Sequence, residues 1–306
     1  MTDNMVLYEV SNGVARIILN RPAVNALNLE MVKDVVAAFE TAGKDEGIRA
    51  VVLTSAVSKA FSAGLDLHIL LGKSEEKVHG LLQELYVRLY DTQYNLGKPS
   101  IAAVGGAARG GGMTMAISCD VILAGRNATF GYPEIDAGVI PAIHFAHLPR
   151  IVGRHRAFEL LFSGRSFGAE EAYRLGLVSR VVPDEELVSH AQGLAETFAA
   201  KSAVVMRLGR AAFMRQNDLD YRRSIANAVE DFCNVTMTDA AQDKLRAFVD
   251  RRRSALTVHS AIAMSALLST KLGITVTLNE DASLQRASNR SAGSPLFPFW
   301  RQYVRM

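Results

Sequence analysis

Residues 101–120 have the sequence IAAVGGAARGGGMTMAISCD. The apolar run 101–104 predicts a short buried strand, and residues 113–117 have the composition of a buried helix. The segment between them, 105–112, is rich in glycine, which permits backbone conformations and close approaches that side chains forbid. This stretch therefore predicts a tight turn from a strand into a helix, with backbone N–H groups left free at the turn.

A second loop of this kind, residues 59–67 with the sequence KAFSAGLDL, follows a predicted strand at 50–53. Free N–H groups at such turns, reinforced by a helix N-terminus, attract negative charge. Two such turns side by side could present two amides to one developing oxyanion. Each loop taken alone is also consistent with an ordinary turn. The loop at 105–112 lacks the Lys-Ser/Thr ending of a phosphate-binding P-loop and the spacing of a dinucleotide fingerprint.

Strand-like and helix-like segments alternate through the first part of the chain. Strands are predicted at 6–10, 14–19, 50–53, 101–104 and 120–124, and helices at 28–39 and 75–96. Asn12-Gly13 is a strong hairpin signal between the first two strands. Asn28 is suited to cap the first helix. This order of elements predicts an α/β domain with parallel strand pairings.

After about residue 140 the pattern becomes mainly helical. Helices are predicted at 154–162, 169–175, 185–200, 202–214 and 240–251, with one further strand at 178–182. We divide the chain into an α/β core at 1–200, a helical region at 201–252 and an atypical extension at 253–306. The extension is interpreted either as a poorly ordered segment or as a peripheral one that anchors through Phe297, Phe299 and Trp300.

Composition excludes several classes of protein. The chain has 306 residues, 49% of them hydrophobic, and a formal net charge of +3, which argues against charge-rich disorder and against a nucleic-acid partner. Cys119 and Cys233 are too few for a disulfide framework, so we expect a reducing, cytoplasmic setting. No signal peptide and no membrane-spanning run of about 18 apolar residues is predicted. No group of His, Cys and carboxylate residues has the spacing of metal ligands.

Further motifs follow in a fixed order along the chain. They are LNRP at 19–22, NALN at 25–28, KPSIAAV at 98–104, FGYPE at 130–134, LPRIVG at 148–153, GLV at 176–178 and LRAF at 245–248. Together with the two glycine loops, this set resembles the crotonase superfamily, the enoyl-CoA hydratase/isomerase family, over residues 5–252. Any single motif is weak evidence for the resemblance, but the ordered set of motifs is specific to this family.

The resemblance implies a repeated ββα spiral core followed by a helical C-terminal region that assembles homotrimers or homohexamers. It implies an enzyme acting on an acyl-CoA, with coenzyme A as part of the substrate and no separate cofactor, nucleic-acid or membrane partner. The thioester oxygen would lie between the backbone N–H groups of Leu65 and Gly111. Residues implied to line the CoA channel are Val24, Ala26, Leu27, Ser62, Ala63, Asp66, Leu67 and His68. Of these, Asp66 is expected to brace its loop and not to act as an acid or base.

Hydratases of this family use two glutamates, and the resemblance places one of them at Glu134. A carboxylate beside an apolar pocket can have its pKa raised toward neutrality, which suits proton transfer. The position of the second glutamate is occupied by Thr114. Because a threonine hydroxyl cannot act as a general base near neutral pH, the two-carboxylate hydration mechanism is not intact.

The segment after Glu134 also departs from the family pattern, since it contains His144 and His147. Histidine has a pKa suited to proton transfer, so either could be a polar partner of the glutamate. Both could equally pack against or cap a helix. Asp136 is expected either near the pocket or on the surface. Arg109, where the family has an apolar residue, could bind an acyl carboxylate or form a structural ion pair.

Several functions fit this pattern. Isomerisation, hydration through Glu134 and an ordered water, and a hydratase/lyase reaction on an aromatic enoyl-CoA remain open. A catalytically silent acyl-CoA binder is a second class. An RNA-binding relative would need a basic helical face, for which Arg207, Arg210 and Arg215 are a sparse basis. Cys119 has no basic neighbour and is predicted to be a small buried residue and not a nucleophile.

Overall fold

The computed structural model describes residues 4–66, 75–217, 238, 239 and 243, and the backbone of 275–278 and 284–288. The chain divides into two compact units, Met1–Thr238 and Asp239–Met306. The described part of the first unit contains two β-sheets and the helices that cover them. Within the described residues, no helix has the length and hydropathy needed to cross a membrane.

The larger sheet has six strands. They are β1 (Val6–Ser11), β2 (Val14–Leu19), β3 (Ala50–Ser55), β5 (Ser100–Val104), β7 (Val121–Gly125) and β10 (Arg180–Val182), paired in that order. β1 and β2 form an antiparallel hairpin, and its turn residues Asn12 and Gly13 have φ values of 52° and 74°, as a two-residue turn requires. All other neighbours in this sheet are parallel. The prediction of an α/β unit with parallel pairings is confirmed.

The smaller sheet has four short strands. They are β4 (Ala60–Ser62), β6 (Ala107–Arg109), β8 (Thr129–Gly131) and β9 (Ser166–Gly168), again paired in that order. β4, β6 and β8 are parallel, and β9 is antiparallel to β8. β3, β5 and β7 of the larger sheet are each followed along the chain by a strand of the smaller sheet. Each such pair of consecutive strands therefore adds one strand to each of the two sheets. The parallel ends of β4 and β6 place the two glycine loops side by side.

Helices connect and cover the sheets. They are α1 (Leu29–Lys44), α2 (Glu75–Leu82), α3 (Leu89–Tyr94), α4 (Gly111–Ser118), α5 (His144–Val152), α6 (Arg154–Ser163), α7 (Ala169–Arg174), α8 (Leu187–Ala199) and α9 (Ala203–Asn217). Short 3₁₀ turns occur at Pro133–Ile135 and Asp184–Glu186. As predicted, Asn28 caps α1, because its side-chain oxygen accepts a 2.8 Å hydrogen bond from the Met31 N–H.

Two helical features differ from the sequence prediction. The helix expected at 75–96 is interrupted between α2 and α3 by a π-helical segment, Gln83–Arg88, in which the Leu89 N–H reaches back five residues to the Glu84 carbonyl. Periodicity over a short window does not reveal one extra residue per turn. α5 was not among the predicted helices, and it forms although it contains Pro149, which removes a hydrogen bond inside a helix.

The central strands of the larger sheet are buried on both faces. Val51 and Leu53 of β3 point to a core shared with Phe39 of α1. The alternate residues Ala50 and Val52 point to a second cluster with the α8 side chains, among them Ala191. Parallel strands covered on both faces carry continuous apolar runs in place of alternation. This explains why residues 101–104 have no polar position.

In the second unit, β11 (Thr275–Leu278) pairs antiparallel with β12 (Leu284–Ser288). The helix expected at 240–251, the anchors Phe297, Phe299 and Trp300, and the CoA-channel residues Leu67 and His68 lie wholly or mainly outside the described residues. The boundaries proposed at residues 200 and 252 stay predictions.

Candidate active site

The two glycine loops are in direct contact. Gly64 has a φ of 89°, and a Cβ at this position would lie 2.8 Å from the Arg109 carbonyl oxygen and 3.3 Å from the Gly111 nitrogen. Only glycine combines this backbone angle with so close an approach. The backbone around Gly64 therefore lies against the start of α4.

The N–H of Leu65 is left out of the hydrogen bonding that fixes its loop. Leu65 forms an isolated parallel bridge with Leu27. The Leu27 N–H donates to the Gly64 carbonyl at 2.7 Å, and the Asp66 N–H donates to the Leu27 carbonyl at 2.9 Å. In a parallel bridge the N–H between these two bonds points the other way. The Leu65 N–H is thus directed away from Leu27.

Gly111 is the first residue of α4, after Gly110 with its φ of 46°. The N–H groups in the first turn of a helix have no acceptor within the helix. A Cβ on Gly111 would lie 3.1 Å from side-chain carbons of Leu27 and Leu85 and 3.6 Å from Leu65. The helix start is therefore enclosed by apolar groups, which strengthen any hydrogen bond made there.

A buried polar network holds the first loop in place. The Arg21 guanidinium donates to the Asp66 carboxylate at 3.0 Å and to the Ala26 carbonyl at 2.5 Å. The fully buried Asn25 side chain donates to the Phe61 carbonyl at 3.0 Å and accepts from the Arg21 N–H at 2.7 Å. Asp66 therefore braces the loop. Arg21 was noted in the sequence only as part of a motif, and its partner lies too far along the chain to be found by spacing.

The remaining residues expected along the CoA channel fall into two groups. Val24 and Ala63 are exposed and joined by a 2.9 Å hydrogen bond from the Ala63 N–H to the Val24 carbonyl. Leu27 and Ser62 are buried, and the Ser62 hydroxyl donates to the Asn25 carbonyl at 2.8 Å. The side chains of Leu27 and Ser62 therefore support the loop, whereas Val24 and Ala63 are exposed and Ala26 is half-buried.

Glu134 lies in the 3₁₀ turn that follows β8, directly over Gly110. A Cβ on Gly110 would lie 2.7 Å from the Glu134 Oε1 atom. The carboxylate is half-buried, and its Oε2 atom is buried with no hydrogen-bond partner. Burial raises the pKa of Glu134 above its ordinary value because the charged form loses hydration. This carboxylate therefore stands beside the start of α4 with an unsatisfied oxygen.

The π-helical segment brings two side chains to the same place. Leu85 packs against Gly111. The next residue, Tyr86, is half-buried, and burial together with the Glu134 charge raises the pKa of its phenol. π-Helical turns are rare and often mark functional sites. Sequence analysis missed both residues.

Thr114 and His144 meet behind Glu134. The Thr114 hydroxyl lies 3.3 Å from the His144 Nε2 atom, and the same nitrogen lies 3.3 Å from the Gly110 carbonyl oxygen. His144 is 1% exposed, and burial lowers its pKa to about 3. The imidazole is therefore neutral at physiological pH and is not a general acid there.

His147 and Tyr132 complete the surroundings of His144. The His144 and Tyr132 rings have centroids 4.6 Å apart, and His147 lies 6.5 Å from His144 and 5.6 Å from Tyr90. Burial lowers the pKa of His147 and raises that of Tyr132, to which the Glu134 charge also contributes. Both histidines lie on α5, and each packs against the ring of a tyrosine from another part of the chain.

Three other candidates lie apart from the reacting groups. Asp136 is exposed and packs against Gly164. Arg109 donates to the Thr129 carbonyl at 2.7 Å and to its hydroxyl at 2.9 Å, so it is anchored to β8. Burial raises the pKa of the Cys119 thiol to about 12, as expected for a packing residue.

Two surface cavities of about 470 and 420 Å³ lie elsewhere, one between α1 and α3 and the other beside α9. Their linings do not include Glu134 or Gly111. The contacts between the glycine loops and the glutamate, and not cavity size, define the candidate site.

Comparison with known proteins agrees with this geometry. The sequence model of the enoyl-CoA hydratase/isomerase family matches residues 9–257. The chain belongs to the enoyl-CoA hydratase/isomerase family. One relative is a short-chain-enoyl-CoA hydratase of Clostridium acetobutylicum, to which the chain is 34% identical over 254 residues. The match covers 82% of this chain and 96% of the relative. The chain is 36% identical over 256 residues, 83% and 98% of the two chains, to a probable enoyl-CoA hydratase of Rhizobium meliloti.

Solved structures show the same fold. An enoyl-CoA hydratase from Bacillus anthracis superposes with a TM-score of 0.76 at 30% identity, covering 81% of this chain and 97% of that one. One from Mycobacterium smegmatis gives 0.77 at 33% identity and the same coverage. The predicted crotonase fold is confirmed, and the protein is an enzyme of this family that acts on an acyl-CoA.

Proposed function

We propose that this enzyme transfers a proton on an enoyl-CoA thioester through an enolate, with Glu134 as its one carboxylate base. The observation that carries the proposal is the contact of Gly64 with Arg109 and Gly111, beneath the Glu134 carboxylate on Gly110. These contacts support a site in which the Leu65 and Gly111 N–H groups point to one place. A thioester oxygen held between them would lie next to an acid with a free oxygen atom.

The chemistry follows from where charge develops. Removing a proton from the carbon beside a thioester, or adding a nucleophile to its double bond, puts negative charge on the carbonyl oxygen. Two preorganised N–H donors stabilise that charge most in the transition state, and losing one such donor typically costs about 3 kcal/mol. The Arg21–Asp66 brace and the Leu27 bridge fix the Leu65 N–H before the substrate arrives.

Glu134 then moves the proton. Because its pKa is raised toward neutral pH, the carboxyl group can both accept and return a proton at physiological pH. In isomerisation it would take a proton from carbon 2 of a 3-enoyl-CoA and deliver it to carbon 4, with no net gain or loss of atoms. Hydration would need Glu134 and an ordered water, since Thr114 supplies a hydroxyl in place of a second carboxylate.

The test is the substitution Glu134→Gln, which keeps the shape of the side chain and removes the base. Purified protein is offered crotonyl-CoA, a 3-enoyl-CoA and an aromatic enoyl-CoA, and turnover and binding are measured separately. We expect conversion of at least one ester by the parent enzyme, a loss of about 10²-fold or more in the variant, and unchanged binding of the CoA ester. Undiminished turnover by the variant would remove Glu134 from the mechanism.

Thr114 at the second-glutamate position favours one other candidate, a catalytically silent acyl-CoA binder. Saturable binding with no conversion of any of the three esters would support it. Conversion confined to the aromatic ester would favour a hydratase/lyase reaction. We further propose a homotrimer or homohexamer and a cytoplasmic location for the enzyme.

A further inference from the structure

Glu134 and three mutually packed rings, those of Tyr132, His144 and His147, carry buried polar atoms without hydrogen-bond partners. Among the described side chains they include Tyr132 Oη, His144 Nδ1 and His147 Nδ1, together with Oε2 of the glutamate itself. Tyr132 is 0% and His144 1% exposed. Buried polar groups are nearly always paired, and each group left unpaired is costly. The cluster therefore points to a ligand atom that is both polar and held inside the site.

The hydrogen bonds of His144 determine what its free nitrogen needs. Its Nε2 atom lies 3.3 Å from the Gly110 carbonyl oxygen, and a carbonyl can only accept. The proton of the neutral ring is therefore on Nε2, which leaves Nδ1 as a bare acceptor. A buried acceptor of this kind requires a donor.

The groups around His144 are hydrogen-bond donors, and they require an acceptor. Tyr132 brings a phenol O–H, which can donate, on a ring whose centroid is 4.6 Å from that of His144. Thr114 lies one turn beyond Gly110 on the same face of α4, and its oxygen faces the protonated Nε2 at 3.3 Å. Its own hydroxyl proton is then available to a ligand. His144, Tyr132 and Thr114 thus offer one bare acceptor and two hydroxyl donors.

We infer that the acyl group of the substrate carries a hydroxyl beyond its reacting carbons, which donates to His144 Nδ1 and accepts from the Tyr132 phenol. A hydroxyl has both one donor and acceptor lone pairs, so it satisfies the two buried groups at once. A methyl group of the same size would leave both unpaired. This inference names the substrate class of the proposed function and rests on it.

The experiment compares pairs of 2-enoyl-CoA esters that differ only by a terminal hydroxyl or a terminal methyl group, with acyl backbones of four, five and six carbons. We expect kcat/KM to favour the hydroxyl ester by at least about tenfold at one of these lengths, because a site built to pair a hydroxyl rejects the analogue that lacks it. In Tyr132→Phe, which removes one oxygen atom, this preference should fall several-fold. Tyr173→Phe, on the exposed face of α7, is the matched control and should keep it.

The outcomes separate the two proposals. Equal kcat/KM for both members of every pair would overturn the hydroxyl inference and leave the Glu134 mechanism standing. Conversion of none of these esters, and of neither the 3-enoyl-CoA nor the aromatic enoyl-CoA, by the parent enzyme would count against the mechanism. In that case the same pairs, saturated at the double bond, are compared by calorimetric binding, and equal affinity would overturn the hydroxyl inference as well. Because the parent enzyme decides each point, a Tyr132→Phe variant that fails to fold does not remove the test.

Discussion

His144 shows how one buried side chain can tie the site to the stability of the fold. Its Nε2 atom lies close to both the Gly110 carbonyl and the Thr114 hydroxyl, so it connects the glycine loop at 105–112 to α4 and α5. Its pKa of about 3 means that the folded enzyme keeps the ring neutral. The unfolded chain has no such restriction, and there the ring titrates near 6.5.

This difference predicts a pH effect on stability. As pH falls from about 6.5 toward 3, the unfolded chain takes up a proton at His144 that the folded enzyme does not, so unfolding becomes easier. The full contribution is present above pH 6.5. In His144→Gln, which cannot titrate, the free energy of unfolding should fall less steeply, by up to about 1.4 kcal/mol per pH unit. Urea unfolding between pH 7 and 5 measures it.

The control is His155→Gln, a change at an exposed histidine on α6. It should leave the pH dependence of the parent enzyme in place. Parallel stability curves for the parent and His144→Gln would contradict the buried, neutral state of the ring.

The contact between the two loops depends on the backbone of β4 and α4 and not on side-chain chemistry. Gly64, Gly110 and Gly112 each lie where a Cβ would meet another group at less than 3 Å: the Arg109 carbonyl, the Glu134 carboxylate and the Ser62 carbonyl respectively. The glycines thus join three separate elements around the point where the oxyanion would form.

Gly64→Ala should therefore cost both stability and activity. The added Cβ would meet backbone atoms at 2.8 Å and would force a positive φ on alanine, a cost of about 1–3 kcal/mol if the loop does not move. If the loop moves, the Leu65 N–H moves with it, and kcat/KM should fall by about 10²-fold or more. Steady-state kinetics and urea unfolding measure the two effects.

Gly193→Ala is the matched substitution, because Gly193 lies in the middle of α8 with open space around its Cα. There alanine should stabilise the enzyme by about 0.5–1 kcal/mol and leave kinetics unchanged. Full activity in Gly64→Ala would show that the loop contact does not position the reacting groups.

The sequence was sufficient for the elements that depend on local pattern. The hairpin at Asn12-Gly13, the cap at Asn28 and the parallel strands follow from turn chemistry, capping and apolar runs. The glycine loops could be placed together because parallel strands end at one edge. The Arg21–Asp66 ion pair, Tyr86 on the π-helical segment and the Tyr132–His144 contact could not be predicted, because each joins elements whose relative position only packing decides.

α9 is joined to the rest of the first unit by a largely buried ion pair. The Arg210 guanidinium donates to the Asp120 carboxylate at 2.8 and 3.0 Å and to the carbonyls of Gln93 and Tyr94. Asp120 also accepts from the Ser100 N–H at 2.8 Å. Arg210 is therefore a structural residue and contributes nothing to a basic surface for RNA.

Arg210→Met should cost about 3–5 kcal/mol of unfolding free energy, because it leaves a mostly buried carboxylate without its cation. Arg165→Met is the control. Arg165 pairs with the carboxylates of Glu159 and Glu171, but at the surface, where ion pairs are worth at most about 1 kcal/mol. Denaturant midpoints of the two variants give the comparison. Equal, small losses would mean that α9 is held in place by its apolar contacts instead.

The π-helical segment Gln83–Arg88 has a consequence for how this enzyme could change over time. Deleting one residue there would restore ordinary α-helical winding with α2 and α3 close to their present relative orientation, because the wider turn absorbs the extra residue. Leu85 and Tyr86 would then shift relative to Gly111 and Glu134, while Glu134 and both glycine loops kept their sequence. Single-codon loss or gain in this stretch is therefore a route to new substrate preference that point mutation does not offer, and a practical one for directed evolution.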